Sequence, residues 1–327
     1  MARPIERTFA MALAALGLLI SSAAPLPISA QATPVVIGVV LPATGPFAPG
    51  GTAALEALKL AADDVTESGG VLDHPVRLVS ADSQGRPEIA RTETLRLVER
   101  DGAWAVIGAY LSEETIPVQE VAATTRTLHI IPIAATMELT DRIASDPQYR
   151  FSFRIAYNLA QWAALLDGYL VSQHIHSYAF VGAAIRWNQE LAQLLKARLA
   201  ERGVAEVSQS FYSPTSPIVD PLIIALRTRP PDVVVLGDPG RGAIEFVKRA
   251  RALGLASRLL SVGGALGDSR VARSLPPGDY LAFHAAAWRG LTPQATRYWS
   301  VFQKRYHFLP SGYSDTLPYD ALMVLVE

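Results

Sequence analysis

The 327-residue chain contains no cysteine. Disulfides, thiolate nucleophiles, Cys-ligated zinc and iron–sulfur clusters are therefore excluded together. It also lacks an excess of either charge: 29 Lys and Arg stand against 30 Asp and Glu, a net charge of −1, so no basic field exists to gather nucleic acid. Familiar catalytic signatures are missing. There is no G-x-G-x-x-G after the first predicted strand, no G-x-S-x-G elbow, no Walker A loop and no H-E-x-x-H. The six histidines do not form a ligand set: His74, His129 and His284 are scattered, and His174 and His176 flank Ile175 with no third ligand nearby. These absences argue against an enzyme and predict neither a metal nor another cofactor. The one long uncharged apolar run, Phe9 to Ile20, falls short of the ~20 residues that span a bilayer.

That run reads instead as part of an export signal. Arg3 and Arg7 supply a positive start, and Ala30-Gln31-Ala32 forms an A-x-A cleavage site, giving a signal peptide over 1–32. Nothing later is long and uncharged enough to span a membrane, so a soluble exported protein is expected. Without a cysteine to carry a lipid tether, such a protein is retained near the cell only by an outer membrane. A Gram-negative periplasm is the expected location.

The residues after the signal, roughly 295 of them, suffice for one large domain or two ordinary ones. Strand-like runs at Val35–Leu41, Val76–Ala81, Ala103–Gly108 and Leu128–Pro132 alternate with helical stretches at Thr52–Thr66, Pro87–Arg100 and Ser112–Thr125. A second series follows Phe151-Ser152-Phe153-Arg154. Its strands are predicted at Tyr178–Gly182, Val207–Tyr212, Val233–Leu236 and Leu259–Val262, and its helices at Leu159–Gln173, Asn188–Glu201, Pro221–Arg227 and Arg241–Leu253. One more strand (Tyr280–His284) and two helices (Pro293–His307 and Leu317–Glu327) close the pattern. Continuous apolar strands separated by helices predict parallel sheets covered on both faces. The fold class expected is α/β, with two doubly wound, Rossmann-like lobes and a cleft between them.

In such sheets ligands sit at the carboxyl ends of strands, where helix N-termini present free N–H groups. The turn Ala109-Tyr110-Leu111 followed by Ser112 is one such place. Ser112 reads as an N-cap, which either only caps its helix or also turns its hydroxyl toward a ligand carboxylate. Glu113 and Glu114 suit the helix dipole there, and either one pointing into the cleft would disfavour an anionic ligand.

Several short segments together resemble the type I periplasmic binding proteins of the leucine/isoleucine/valine-binding kind, from about Val35 to the end of the chain. They are IGVVLPATGPFA (37–48), Asp63-Asp64 with Gly69-Gly70-Val71-Leu72, Ala81-Asp82-Ser83, VIGAYLSEET (106–115), IIPIAATMELT (130–140), FRIAYN (153–158), RARALGL (249–255) and Pro318-Tyr319-Asp320-Ala321. The resemblance implies three chain crossings between lobes, forming a multi-strand hinge. One lobe would comprise 33–153 plus 284–327 and the other 154–283, with the last lobe segment and crossing absent here. It implies the solute-binding component of an ABC importer, with a small-molecule ligand and with permease and ATPase subunits as partners. A periplasmic sensor on the same fold is the alternative. Ser112 aligns with the family's carboxylate-binding serine, and Tyr110 lies in the same turn. Ala134-Ala135-Thr136 matches the second contact segment, although the family's threonine falls on Ala135. Trp187 matches the aromatic of the opposite lobe. The acid that grips an amino acid's ammonium would fall near Val262-Gly263-Gly264-Ala265, where there is none. The tyrosine expected near Gly237-Asp238-Pro239 is missing too, with Asp238 a possible polar substitute, and Gly50-Gly51 stand where an aromatic is common. The resemblance therefore implies a small carboxylate, amide or unusual amino acid ahead of leucine or valine.

Overall fold

The structure is a computed structural model and describes residues 32–267, 269–276, 280–283 and 290–326. The expected signal peptide, apart from Ala32, lies outside the described residues, as does His284.

The first sheet holds β1 (Val35–Leu41), β2 (Val76–Asp82), β3 (Ala105–Gly108), β4 (Leu128–Ile131) and β5 (Ser152–Arg154) in the spatial order β2-β1-β3-β4-β5. Every pairing is parallel, with Val40 opposite both Ala81 and Gly108. The second sheet holds β6 (Ser177–Ala183), β7 (Ala205–Tyr212), β8 (Val233–Gly237), β9 (Arg258–Val262) and β10 (Tyr280–Phe283) in the order β10-β9-β8-β6-β7, again all parallel. Parallel neighbours need crossovers, and the intervening sequence supplies helices. These are α1 (Ala48–Glu67), α2 (Pro87–Glu99), α3 (Ser112–Thr125), α4 (Met137–Ser145), α5 (Leu159–Ser172), α6 (Arg186–Glu201), α7 (Asp220–Thr228) and α8 (Arg241–Ala252). All of β3 and all of β8 are buried, which is why both read as unbroken apolar runs. Each buried Val or Leu contributes about 1.5–3 kcal/mol of transfer free energy.

Local chemistry starts the helices where the pattern requires. Asn158 Oδ1 accepts from the Gln161 N–H at 3.0 Å while Gln161 Oε1 accepts from the Asn158 N–H at 2.9 Å, a reciprocal cap that launches α5. Thr292 caps α9 (Pro293–Tyr306) through the Ala295 N–H at 3.0 Å, with Pro293 at the first helical position.

The last helices return to the first sheet. Tyr298, Phe302 and Phe308 pack on Ala57 and Leu60 of α1. Asp64 of α1 takes both Arg297 terminal nitrogens at 3.1 Å and the hydroxyl of Tyr319, from α10 (Thr316–Val326), at 2.6 Å. Asp63 pairs with Arg305 at 2.5 Å. The Asp63-Asp64 motif thus anchors chain lying more than two hundred residues away.

Several short elements lie outside the sequence prediction, α4 and β5 among them. Helix α4 has nine residues and buries only Leu139, too little to show a periodic stripe. Strand β5 has three residues and buries only Ser152. No helix among the described residues is long and apolar enough to cross a membrane.

Candidate functional site

Both sheets reverse their strand order internally, at β1/β3 in the first and at β6/β8 in the second. Such a switch point opens a crevice outside the carboxyl ends of the strands. In this molecule the two crevices face one another across a cavity of about 370 Å³, part of it continuous with solvent. From the first sheet come Tyr110, Leu111 and Ser112 after β3, and Ile133, Ala134 and Ala135 after β4. From the second come Trp187 after β6, Pro239 after β8 and Gly263 after β9. Trp162 of α5 and Tyr313 complete the lining, and among the described residues no charged side chain lines it. An adjoining chamber of about 470 Å³ shares Tyr110 and Pro239 and reaches Arg241 and Asp315.

Ser112 is the first helical residue of α3 and not its N-cap, a correction to the sequence expectation. Glu114 takes over part of the capping work: its Oε2 accepts from the Leu111 N–H at 3.0 Å. Ser112 Oγ instead accepts from the Thr136 N–H at 3.2 Å, joining the two contact turns of the first sheet. An oxygen that accepts there still has its own proton to donate.

Arg154, at the end of β5, explains how the second turn is held. Its guanidinium donates to the carbonyls of Ala135 (3.2 Å) and Thr136 (2.8 Å), so the Ala135–Thr136 peptide turns its N–H the opposite way, to Ser112. Burial brings the Arg154 pKa down to about 10, which leaves it charged at neutral pH. Ala134 and Ala135 lie in the cavity wall. Thr136 is fully buried outside that lining, and its hydroxyl donates to both carboxylate oxygens of Glu190 on α6, at 2.8 and 2.6 Å.

Four aromatic rings shape the remaining space. Tyr110 Oη lies 3.3 Å from Ser314 Oγ, and burial pushes its pKa up to about 12, so the phenol stays neutral. Trp162 and Tyr313 meet edge to face with ring centres 5.4 Å apart. The Tyr313 hydroxyl accepts from Trp162 and donates to the Ile133 carbonyl at 2.8 Å. Trp187 lies against Gly263, where an added Cβ would come within 2.8 Å of ring atoms Cζ2 and Cη2.

Asp238 is buried behind Pro239 and does not line the cavity. It accepts from the Tyr212 hydroxyl and the Gly240 N–H, both at 2.6 Å, and so serves the turn into α8. Burial raises its pKa against these stabilising bonds. Glu113 stays out of the cavity as well. Its carboxylate takes the Arg186 backbone N–H, and burial raises its pKa.

Sequence reasoning passed over Trp162, Tyr313 and His129. His129 is fully buried, with Nε2 2.6 Å from the Gly108 carbonyl and Nδ1 3.2 Å from Ser152 Oγ. A carbonyl only accepts, so Nε2 carries the proton and Nδ1 receives the serine hydroxyl. The imidazole thus fixes the strand end from which the Tyr110–Ser112 turn departs. Helices α3 and α6 begin at the cavity wall, at Ser112 and one residue before Trp187, each contributing partial positive charge there. An anionic group is the charge this cavity favours.

Comparison with known proteins agrees with the architecture. A family model described as periplasmic binding protein matches residues 34–327. An amino acid binding protein from Pseudomonas aeruginosa is 30 % identical over 235 residues, covering 72 % of this chain and 62 % of the relative. A Leu/Ile/Val-binding protein from Rhizobium johnstonii is 28 % identical, covering 62 % of this chain and 54 % of its own length. The chain therefore spans less than two thirds of the length of these curated relatives. Among solved structures, the solute binding protein of an ABC transporter from R. palustris, in complex with benzoate, superposes with a TM-score of 0.80 at 20 % identity, covering 90 % of this chain and 79 % of that one. Two parallel sheets with their carboxyl ends facing across a cavity, and a family match over nearly all the described residues, place this chain in the periplasmic binding protein family.

Proposed function

We propose that this protein is the extracytoplasmic solute-binding component of an ABC importer, holding a small carboxylate-bearing ligand between its two lobes. The observation that carries this reading is the uncharged cavity between two sets of strand ends, with Ser112 and the N-termini of α3 and α6 at its wall. A ligand carboxylate there receives the Ser112 hydroxyl at the positive end of α3. Its remaining atoms lie against Trp187 and Trp162. The ligand touches residues of both lobes only when the cleft is shut, so it shifts the population toward the closed state by its differential affinity. The closed form is what a permease with its ATPase subunits would engage.

The lobes in this reading are 33–153 with 284–327, and 154–283. Removal of 1–32 would release the protein into a periplasm. The relatives are binding proteins rather than enzymes, and their ligands span amino acids and benzoate, so ligand identity rests on this chain's own cavity.

A thermal-shift screen of the purified protein against amino acids, amides and aromatic or aliphatic carboxylates tests the proposal. A ligand at about 1,000 times its Kd adds ~4 kcal/mol, a shift of several degrees. At least one carboxylate should produce it. A folded protein that answers to no compound would defeat the importer reading.

A further inference from the structure

We infer that the cleft selects a flat aromatic carboxylate lacking an ammonium group, and that Gly263 and Gly50 set this preference by yielding their side-chain space to Trp187 and Tyr110. The inference rests on the solute-binding reading and narrows its ligand class.

The steric relation comes first. A Cβ on Gly263 would stand 2.8 Å from two atoms of the Trp187 ring, closer than real Cβ contacts come, so any side chain there and that ring compete for one volume. Gly263 also holds φ at +96°, a conformation that favours glycine. On the other side, a Cβ on Gly50 would fall inside the phenol of Tyr110. Gly263 lines the main cavity and Gly50 the adjoining chamber, and Tyr110 lines both. Two positions on the cleft are thus emptied of side chain, and a ring from elsewhere in the sequence fills each space.

The second argument is charge. Nothing anionic among the described residues lines the main cavity. In the adjoining chamber Asp315 is buried, and its oxygens already accept from the Ser311 N–H at 2.5 Å and the Gly312 N–H at 3.0 Å. The nearby Glu113, Glu114, Glu190 and Asp238 each accept a bond from a protein donor, and none of them lines the cavity, although Glu113 and Glu114 each keep one buried oxygen without a partner. An ammonium brought into this cleft loses water and gains no carboxylate, a costly exchange. A carboxylate instead meets Ser112 and the helix N-termini.

The third argument is shape. The tips of Tyr110, Tyr313 and Trp162 are paired within the protein, to Ser314, Ile133 and Tyr313 respectively. What these residues and Trp187 offer a ligand is therefore aromatic surface, which suits ring stacking or edge-to-face contact.

Calorimetric titration with two matched pairs of probes tests this. 3-Phenylpropanoate and phenylalanine differ only in the ammonium, and benzoate and cyclohexanecarboxylate only in aromaticity. The expected result is at least a 100-fold preference for 3-phenylpropanoate over phenylalanine and about 10-fold for benzoate over its saturated analogue. Trp187→Ala, at a half-buried position that need not disturb folding, should weaken benzoate about 10- to 100-fold and erase the aromatic preference. Phenylalanine binding as tightly as 3-phenylpropanoate, or a Trp187→Ala variant that holds benzoate unchanged, overturns the inference while leaving solute binding intact. Silence from all four probes together with a thermal-shift hit on another compound overturns the inference alone, whereas silence in both experiments removes both readings.

Discussion

Thr136 and Glu190 join the two halves of the cleft: the threonine hydroxyl, at the end of the β4 turn, donates to the glutamate of α6 at 2.6–2.8 Å. Arg186, one turn earlier on α6, holds Glu190 at 2.9 Å and reaches Glu138 of α4. The contact sits beside the ligand cavity without lining it, so it can stabilise closure independently of ligand contacts.

Removing that contact should therefore weaken binding indirectly. In Thr136→Val the hydroxyl is lost while Glu190 keeps Arg186. A hydrogen bond to a charged group contributes about 1.5–3 kcal/mol, so ligand affinity should fall roughly 10-fold or more. Small-angle scattering should show a more open unliganded protein. Unchanged affinity and unchanged dimensions would show that the bridge plays no part in closure.

Glu114 makes stability sensitive to alkali. Burial pushes its pKa up to about 7 despite the bonds from Ser83 and Leu111, and the nearby Glu113 and Asp82 add to the rise. Between the unfolded value of 4.5 and about 7 the folded chain holds a proton that the unfolded chain releases. Rising pH through that window therefore favours unfolding. Glu114→Gln cannot ionise and should remove this contribution, so that the melting temperature falls less, or rises more, between pH 5 and 7.5 than in the wild type. An identical slope in wild type and variant would contradict the assignment.

His129 acts in the opposite direction. Burial brings its pKa down to about 4, so between about 4 and the unfolded value of 6.5 the unfolded chain holds the extra proton. Stability is lost as pH falls through that window and is fully present above it. The Glu114 and His129 effects oppose each other between 4.5 and 6.5, which leaves the histidine dominant only below 4.5. His129→Gln should reduce the acid loss. It should also cost about 1–3 kcal/mol at pH 8, because the buried Gly108 carbonyl loses a well-placed donor. Urea unfolding at pH 4.5, 6 and 8 separates these contributions.

The helices and strands were legible because their signals are local. β1, α3 and β6–β9 are apolar runs or periodic stretches bounded by turns, and the structure places them within two residues of expectation. Helix α4 and strand β5 were not legible, since nine and three residues bury one side chain each. Of the residues that line the cavity, Ser112 is legible because strand ends are where open α/β sheets bind, while Ala134, Ala135 and Trp187 are reached only through the resemblance to the binding-protein family. The helix-start position of Ser112 was misjudged, since a glutamate at 114 competes for the same capping role. Trp162 and Tyr313 stand 151 positions apart in sequence (313 − 162) and meet only through tertiary packing, so no local pattern announces them. The reason for Gly263 was equally hidden. It lies in a ring that approaches from residue 187.

The central claim is that ligand is held between Ser112 on one side and Trp187 on the other. Its most direct test is calorimetric titration of one bound carboxylate into the wild type, Ser112→Ala and Trp187→Ala. The account predicts that each variant keeps its fold and loses affinity about 10-fold or more, from opposite walls of the cleft. Undiminished affinity in both variants would place the ligand elsewhere and contradict the account.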